Sequence, residues 1–144
     1  MEEQPTTKFP RPELLKLLCI LTFIGSGLSM LSNVILYSLI DQIRAEFAEN
    51  PIYTLFGVEM NMSIFLNVNA WFFMIQAVLF SLSFSGAWQM WKLNKKGFHI
   101  YSVSQILLLI VPKLFIPDMP FPAMDLVLTG SFVYLYYLNL KFMH

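Results

Sequence analysis

Four long apolar stretches, broken by short polar or charged segments, take up most of the chain: Leu14–Ile40, Asn69–Trp91, Phe98–Ile116 and Ala123–Leu140. A bilayer core needs about 20 mainly apolar residues per helix. The stretches therefore predict an all-α membrane fold: an antiparallel bundle of four transmembrane helices forming one integral membrane domain over residues 1–144. Short links at two of the three connections favour up-down-up-down order. Composition agrees. Apolar residues make up 57% and charged residues 12%, against about 45–50% and 25% in soluble domains. A soluble bundle of very apolar helices is the rival reading, but it would expose aggregating apolar patches.

The first stretch is read as an uncleaved membrane helix. A leader peptide has a basic opening, a short apolar region and a small-residue cleavage site. Here Glu2 and Glu3 open the chain, and the apolar run resumes after Gly25-Ser26-Gly27 to reach Ile40. Residues Met1–Arg11, with Pro5 and Pro10, are expected to lack stable structure. Pro12-Glu13 then starts the helix, since proline is tolerated in a first turn and Glu13 suits the positive end of the dipole.

Charge gives the bundle a direction. Lys8, Arg11, Lys16, Lys92, Lys95, Lys96 and Lys141 fall on one side of four helices, and only Arg44 and Lys113 on the other. Asp41, Glu46, Glu49, Glu59, Asp118 and Asp125 lie on the far side. Cytoplasmic loops carry the Lys and Arg excess, so both termini are expected in the cytoplasm. Trp71 at one end of the second stretch, with Trp88 and Trp91 at the other, matches the interfacial aromatic pattern. The net charge is zero, and nothing points to nucleic acid.

The long connection Asp41–Val68 is expected on the outside. Asp41–Glu49 can continue the first helix until Asn50-Pro51 ends it, while Ile52–Val68 is apolar enough to lie on the membrane or fold on the bundle as a short helix or re-entrant piece. It reads as a cap on the helix ends or as a lid or docking surface. Asn61-Met62-Ser63 matches a glycosylation acceptor, which matters only in a eukaryotic secretory membrane. In Leu93–Gly97, Asn94 and Gly97 read as turn formers beside lipid-facing lysines. Pro112 is expected to kink or fray the end of the third helix.

Polar residues inside the stretches are few. Gly25, Ser29 and Asn33 recur every four residues on the first helix, and Gln76 and Gln105 add hydrogen-bonding groups at depth. Small and polar residues let membrane helices approach and bond, so this stripe is read as packing, with a ligand path or homodimer seam as the alternative. Lys113 and Asp125 fall near the outer boundary on consecutive helices and are candidates for an ion pair. Mid-depth carries no carboxylate or histidine for a proton-coupled pump, and no serine has a histidine at matching depth to act as base. His99 and His144 lie apart, Cys19 is the lone thiol, and Met60 with Met62 is too little for copper. No catalytic residue, cofactor or metal site is expected.

Two segments, FPRPELLKLLCILTFIGSG (Phe9–Gly27) and MWKLNKKGFHIYSVSQ (Met90–Gln105), resemble small uncharacterised four-helix membrane proteins of Bacteroidetes-type bacteria. The resemblance implies a bacterial inner-membrane location and carries over no functional residue. The expected role is a non-enzymatic accessory, scaffold or self-associating subunit, whose partners are the lipid bilayer and another copy or a different membrane protein. The alternative is a small transporter or channel acting as an oligomer.

Overall fold

The structure is a computed structural model and describes residues 10–144. The expectation for the opening segment, Lys8 included, falls mostly on residues 1–9, which lie outside the described residues. Four long helices dominate: α1 (Glu13–Phe47), α3 (Trp71–Trp91), α4 (Lys96–Phe115) and α5 (Ala123–Asn139), with a five-residue helix α2 (Ser63–Asn67) before α3. Three of them, α1, α3 and α4, are long and apolar enough to cross a membrane. At 17 residues, α5 spans about 25 Å at 1.5 Å per residue, and a 3₁₀ turn, Leu140–Phe142, extends it.

Helix α1 continues seven residues beyond Ile40 through the charged DQIRAEF segment, as the sequence suggested. Its start differs in one detail. Pro12 is the extended N-cap residue rather than part of the first turn, its carbonyl accepting from the Lys16 amide at 3.1 Å, and Glu13 pairs with Lys16 at 2.7 Å. At the far end Arg44 donates to the Val68 carbonyl and reaches Asp41 at 3.3 Å, tying the extension to the approach to α3.

The connection that follows is not wholly helical. Strands β1 (Ile52–Leu55) and β2 (Val58–Asn61) form an antiparallel hairpin, with Ile52 opposite Asn61 and Leu55 opposite Val58. Ile, Tyr, Thr and Val favour a pleated conformation, and a two-residue loop with positive φ at both positions matches strand twist. Gly57 supplies one such position at φ 81° without strain, and Phe56 occupies the other at φ 51°. Phe56 is 99% exposed at the tip. The short helix expected in this region exists as α2, where Asn61 Oδ1 accepts from the Ser63 amide at 2.9 Å.

Helix α3 is central, packing along its length against α1 on one side and α4 on the other, while α5 touches α4 and α1 much less. The α3–α4 contact is close because glycines face each other across it. A Cβ on Gly86 would sit 2.7 Å from the Tyr101 nitrogen and 2.9 Å from the Gly97 oxygen, and one on Gly97 would lie 2.7 Å from the Met90 nitrogen and overlap the Gly86 oxygen. Gly97 is thus a packing residue in the first turn of α4, not the turn former expected. The left-handed turn position belongs to Leu93, at φ 62°. Its amide donates to Met90 and that of Asn94 to Gln89, at 2.9 and 3.0 Å, which closes the α3 carboxyl end in a Schellman arrangement. Asn94 Oδ1 accepts from the Lys96 amide, and His144 exchanges backbone bonds with Leu93 and Lys95 at 2.7 and 3.0 Å. Pro112 does not end α4, which runs three residues further.

Polar side chains join the apolar core while large apolar ones cover the exterior, unlike a water-soluble protein. Thr22, Ser26, Gln76, Ser83, Ser104 and Asn139 are buried, whereas Leu17, Ile24, Leu31, Ile35, Leu114, Met124 and Val127 face outward. Such a surface is stable where the surroundings are themselves apolar. One apolar cluster, including Leu15, Cys19, Ala87, Met90, Tyr101 and Tyr136, fills the end near His144. A second, Ile40, Val68 and Phe73, fills the hairpin end. Trp88 and Trp91 mark the His144 end of α3, with Lys92 Nζ 5.3 Å from one ring and the Arg11 guanidinium 4.7 Å from the other.

Overpacking a close contact costs about 1–3 kcal/mol, and here the clash is with backbone. Gly97→Ala is therefore expected to destabilise the protein by about 2 kcal/mol or more in a mixed-micelle denaturant titration. Gly25→Ala and Gly130→Ala, which have open space at the same distance, are expected to stay within about 0.5 kcal/mol of the parent.

Candidate functional site

The polar residues of α1, α3, α4 and α5 meet on the side of α3 that α5 only partly covers. On α1 the buried positions step through Leu15, Leu18, Cys19, Thr22 and Ser26, a three-to-four-residue rhythm that defines one helical face. Ser26 Oγ lies 3.1 Å from Ser83 Oγ on α3. Gln105 Nε2 on α4 donates to that same Ser83 hydroxyl at 2.9 Å, so one side chain joins three helices. Toward His144, Thr22 and Tyr136 share a hydroxyl–hydroxyl bond of 2.8 Å between α1 and α5. Tyr136 stacks edge-on to Tyr101 at 4.9 Å, and Phe98 lies 6.4 Å from Tyr137.

Those contacts seat α5 by its carboxyl-terminal half. Tyr136 and Asn139 are its buried residues, and all of Ala123–Ser131 is exposed except Thr129, which is half-buried. Beneath that half lie two neighbouring recesses of about 240 and 300 Å³, both lined by Phe80, Gln105, Leu128 and Thr129. They form one cleft with Gln105 and Thr129 at its middle. The smaller recess is bordered by Gly25, Ser26 and Ser29, and it opens sideways between α1 and α5, where Leu21 and Leu128 are themselves exposed. The larger reaches the hairpin end through Gln76, Pro112, Lys113, Met119 and Asp125.

The expected stripe is thus brought together in part. Gly25, Ser29 and Gln105 border one recess, and Gln76 and Gln105 the other. Asn33 borders neither; its amide donates to the Ser29 carbonyl one turn back at 2.8 Å. Lys113 and Asp125 line the same recess but form no ion pair. Lys113 Nζ donates instead to the Met119 carbonyl in the turn before α5, and Asp125 sits exposed in the first turn of α5, where the helix dipole favours a carboxylate. The central role of Ser83 was not singled out from sequence. Ser81, Ser83 and Ser85 alternate along α3, and only the position of α1 shows which one is covered.

The cleft offers hydroxyls and carboxamides, groups that donate and accept hydrogen bonds. One of them is incomplete. Gln76 is 7% exposed, and its Oε1 has no partner among the described residues. A buried acceptor left unmade costs about 1–3 kcal/mol. Ser102 Oγ is the other such buried side-chain atom among the described residues, but it borders neither recess. Among the described residues no three His, Cys, Asp or Glu side chains gather as metal ligands.

Because Ser83 serves two partners, Ser83→Ala is expected to cost about 1 kcal/mol in denaturant titration, near the range for interhelical bonds in membranes. In a double-mutant cycle, adding Gln105→Leu to Ser83→Ala is expected to cost less than the sum of the two single changes. Strict additivity contradicts the shared bond.

Comparison with known proteins returns no match: no family model, no curated protein and no solved structure is similar to this chain.

Proposed function

We propose that the chain is a non-enzymatic, multi-pass membrane protein that serves as an accessory or scaffold subunit, presenting α5 and the cleft beside it to a neighbouring membrane chain or to a second copy. The observation that carries this reading is the seating of α5. It is held at one end by Thr22, Tyr101 and Tyr136 and leaves Val127 toward the other end, with Gly130 and Ser131 at its middle, uncovered. Small and hydroxyl-bearing residues on an uncovered helix face suit close approach by a second helix. The cleft opens toward the plane in which such a neighbour would lie. Chemistry on a bound substrate has little support, because the groups lining the deep part of the cleft neither titrate near neutrality nor form a nucleophile–base pair.

In this reading the protein sits in a bacterial inner membrane with both termini in the cytoplasm. Support comes from the seven Lys and Arg residues at the terminal side of the four helices and from the tryptophan and cation pairs at the same end of α3. The hairpin then lies on the outer face, with Phe56 at its tip.

A second reading, a small oligomeric transporter or channel, draws on one observation. Gly25, Ser29, Gln76 and Gln105 line open recesses rather than sealed helix contacts.

A photo-crosslinking residue at Val127, followed by mass analysis of intact membranes, is expected to join the chain to another protein or to a second copy. The same residue at Leu31, exposed on α1 and bordering neither recess, is the comparison. Equal yields at both positions, or adducts to lipid alone, contradict the subunit reading. Labelling of Ser29→Cys by a membrane-impermeant maleimide favours transport.

A further inference from the structure

The larger recess holds a combination of groups that neither helix packing nor subunit association uses. Gln76 Oε1 is an acceptor without a donor at a side chain more than nine-tenths buried. Pro112 borders the same recess and has no N–H, so it withholds from Leu108, another lining residue, the helical donor that carbonyl would otherwise receive. Gln76 Oε1, an acceptor without a donor, calls for a ligand that carries an N–H or O–H. At the mouth stand one cation and one anion, Lys113 and Asp125, lining a common space without pairing to each other. Lys113 spends one N–H on Met119, and an ammonium has three. Asp125 has no hydrogen-bond or ion-pair partner among the described residues. Gln105 and Thr129 add a carboxamide and a hydroxyl to the lining, and Phe80, Leu109 and Leu128 make its apolar walls. A volume of about 300 Å³ accommodates a small polar group.

We infer that the recess between α3, α4 and the hairpin-end half of α5 binds a zwitterion that joins a protonated primary amine to a phosphate or carboxylate. The amine donates to Gln76 Oε1 and faces Asp125, and the anion meets Lys113. A simple anion leaves Gln76 and Asp125 unanswered, and a simple cation is repelled by Lys113. Complete methylation of the nitrogen keeps its charge but removes every N–H. The primary amine and its trimethylated analogue therefore separate this site from general electrostatic attraction. Such a group arrives either as a lipid headgroup entering beside α5 or as a free small molecule entering at the hairpin end.

The test is native mass spectrometry of the full-length protein in detergent, in two arms. One arm supplies phosphatidylethanolamine against phosphatidylcholine of matched chains. The other supplies soluble phosphoethanolamine against phosphocholine. The inference expects the primary amine to be retained about tenfold better in at least one arm, the equivalent of one charge-assisted hydrogen bond. The arm that shows the preference names the source. Gln76→Leu, which fills the position with an apolar side chain, is expected to abolish the preference, and Asp125→Asn, at an exposed position that tolerates change, to weaken it severalfold. Equal retention of amine and trimethylated analogue in both arms overturns the inference, as does a preference that survives both substitutions. Crosslinking at Val127 is independent of these outcomes.

Discussion

The backbone contact between Gly86 and Gly97 is the constraint on which the rest of the structure depends. Helices that lie in lipid have no hydrophobic reason to associate, so close van der Waals packing and interhelical hydrogen bonds must hold them, and three of these helices are long and apolar enough to cross a membrane. Two facing glycines let α3 and α4 approach until backbone meets backbone. The four-residue link after Trp91 then needs a tight reversal, which Leu93 provides in a left-handed conformation, with backbone bonds from His144 closing over it. With α3 and α4 fixed, Ser83 is presented to Gln105 on one side and to Ser26 on the other. The polar network follows from the glycine contact rather than creating it.

Helix α5 joins this core on different terms. It has no comparable glycine contact; Gly130 has nothing within 4 Å of its Cβ position. Its hold is a hydroxyl pair and two aromatic contacts near its carboxyl end. The proline-bearing turn 117–122 leads directly into its exposed half, where Lys113 binds the turn rather than the helix. A helix seated at one end leaves a wedge-shaped opening at the other, and the two recesses are that opening.

Much of this was legible in the sequence, for identifiable reasons. Apolar runs near membrane thickness carry a strong signal, and the ends of α3, α4 and α5 fall within two residues of those expected. The extension of α1 was readable because DQIRAEF keeps a helix-compatible composition until Asn50-Pro51. The hairpin was missed because its apolar residues were weighed as membrane-surface material. Their β-branched and aromatic character around Phe56-Gly57 was the available signal. Gly97 was read as a turn former, since a glycine after Asn-Lys-Lys has the same local appearance whether it ends a turn or packs in a helix. Asn33 joined the stripe by spacing alone, yet its amide is spent on its own helix. The actual buried face, through Thr22 and Ser26, lies one residue away, and spacing on a single helix does not reveal which face its neighbours choose. Lys113 and Asp125 were expected to pair and do not, because the Met119 carbonyl in the intervening turn competes for the ammonium.

The central claim is a three-helix core with α5 seated at one end only. Pulsed electron–electron distance measurement in lipid vesicles tests it directly, on a Cys19→Ala background. One spin-label pair replaces Ile20 and Leu138 near the seated end, and another replaces Leu31 and Val127 near the hairpin end, all four exposed. The account expects a short, narrow distribution for the first pair and a longer, broader one for the second. Two equally short and narrow distributions would mean a closed four-helix bundle and would contradict it.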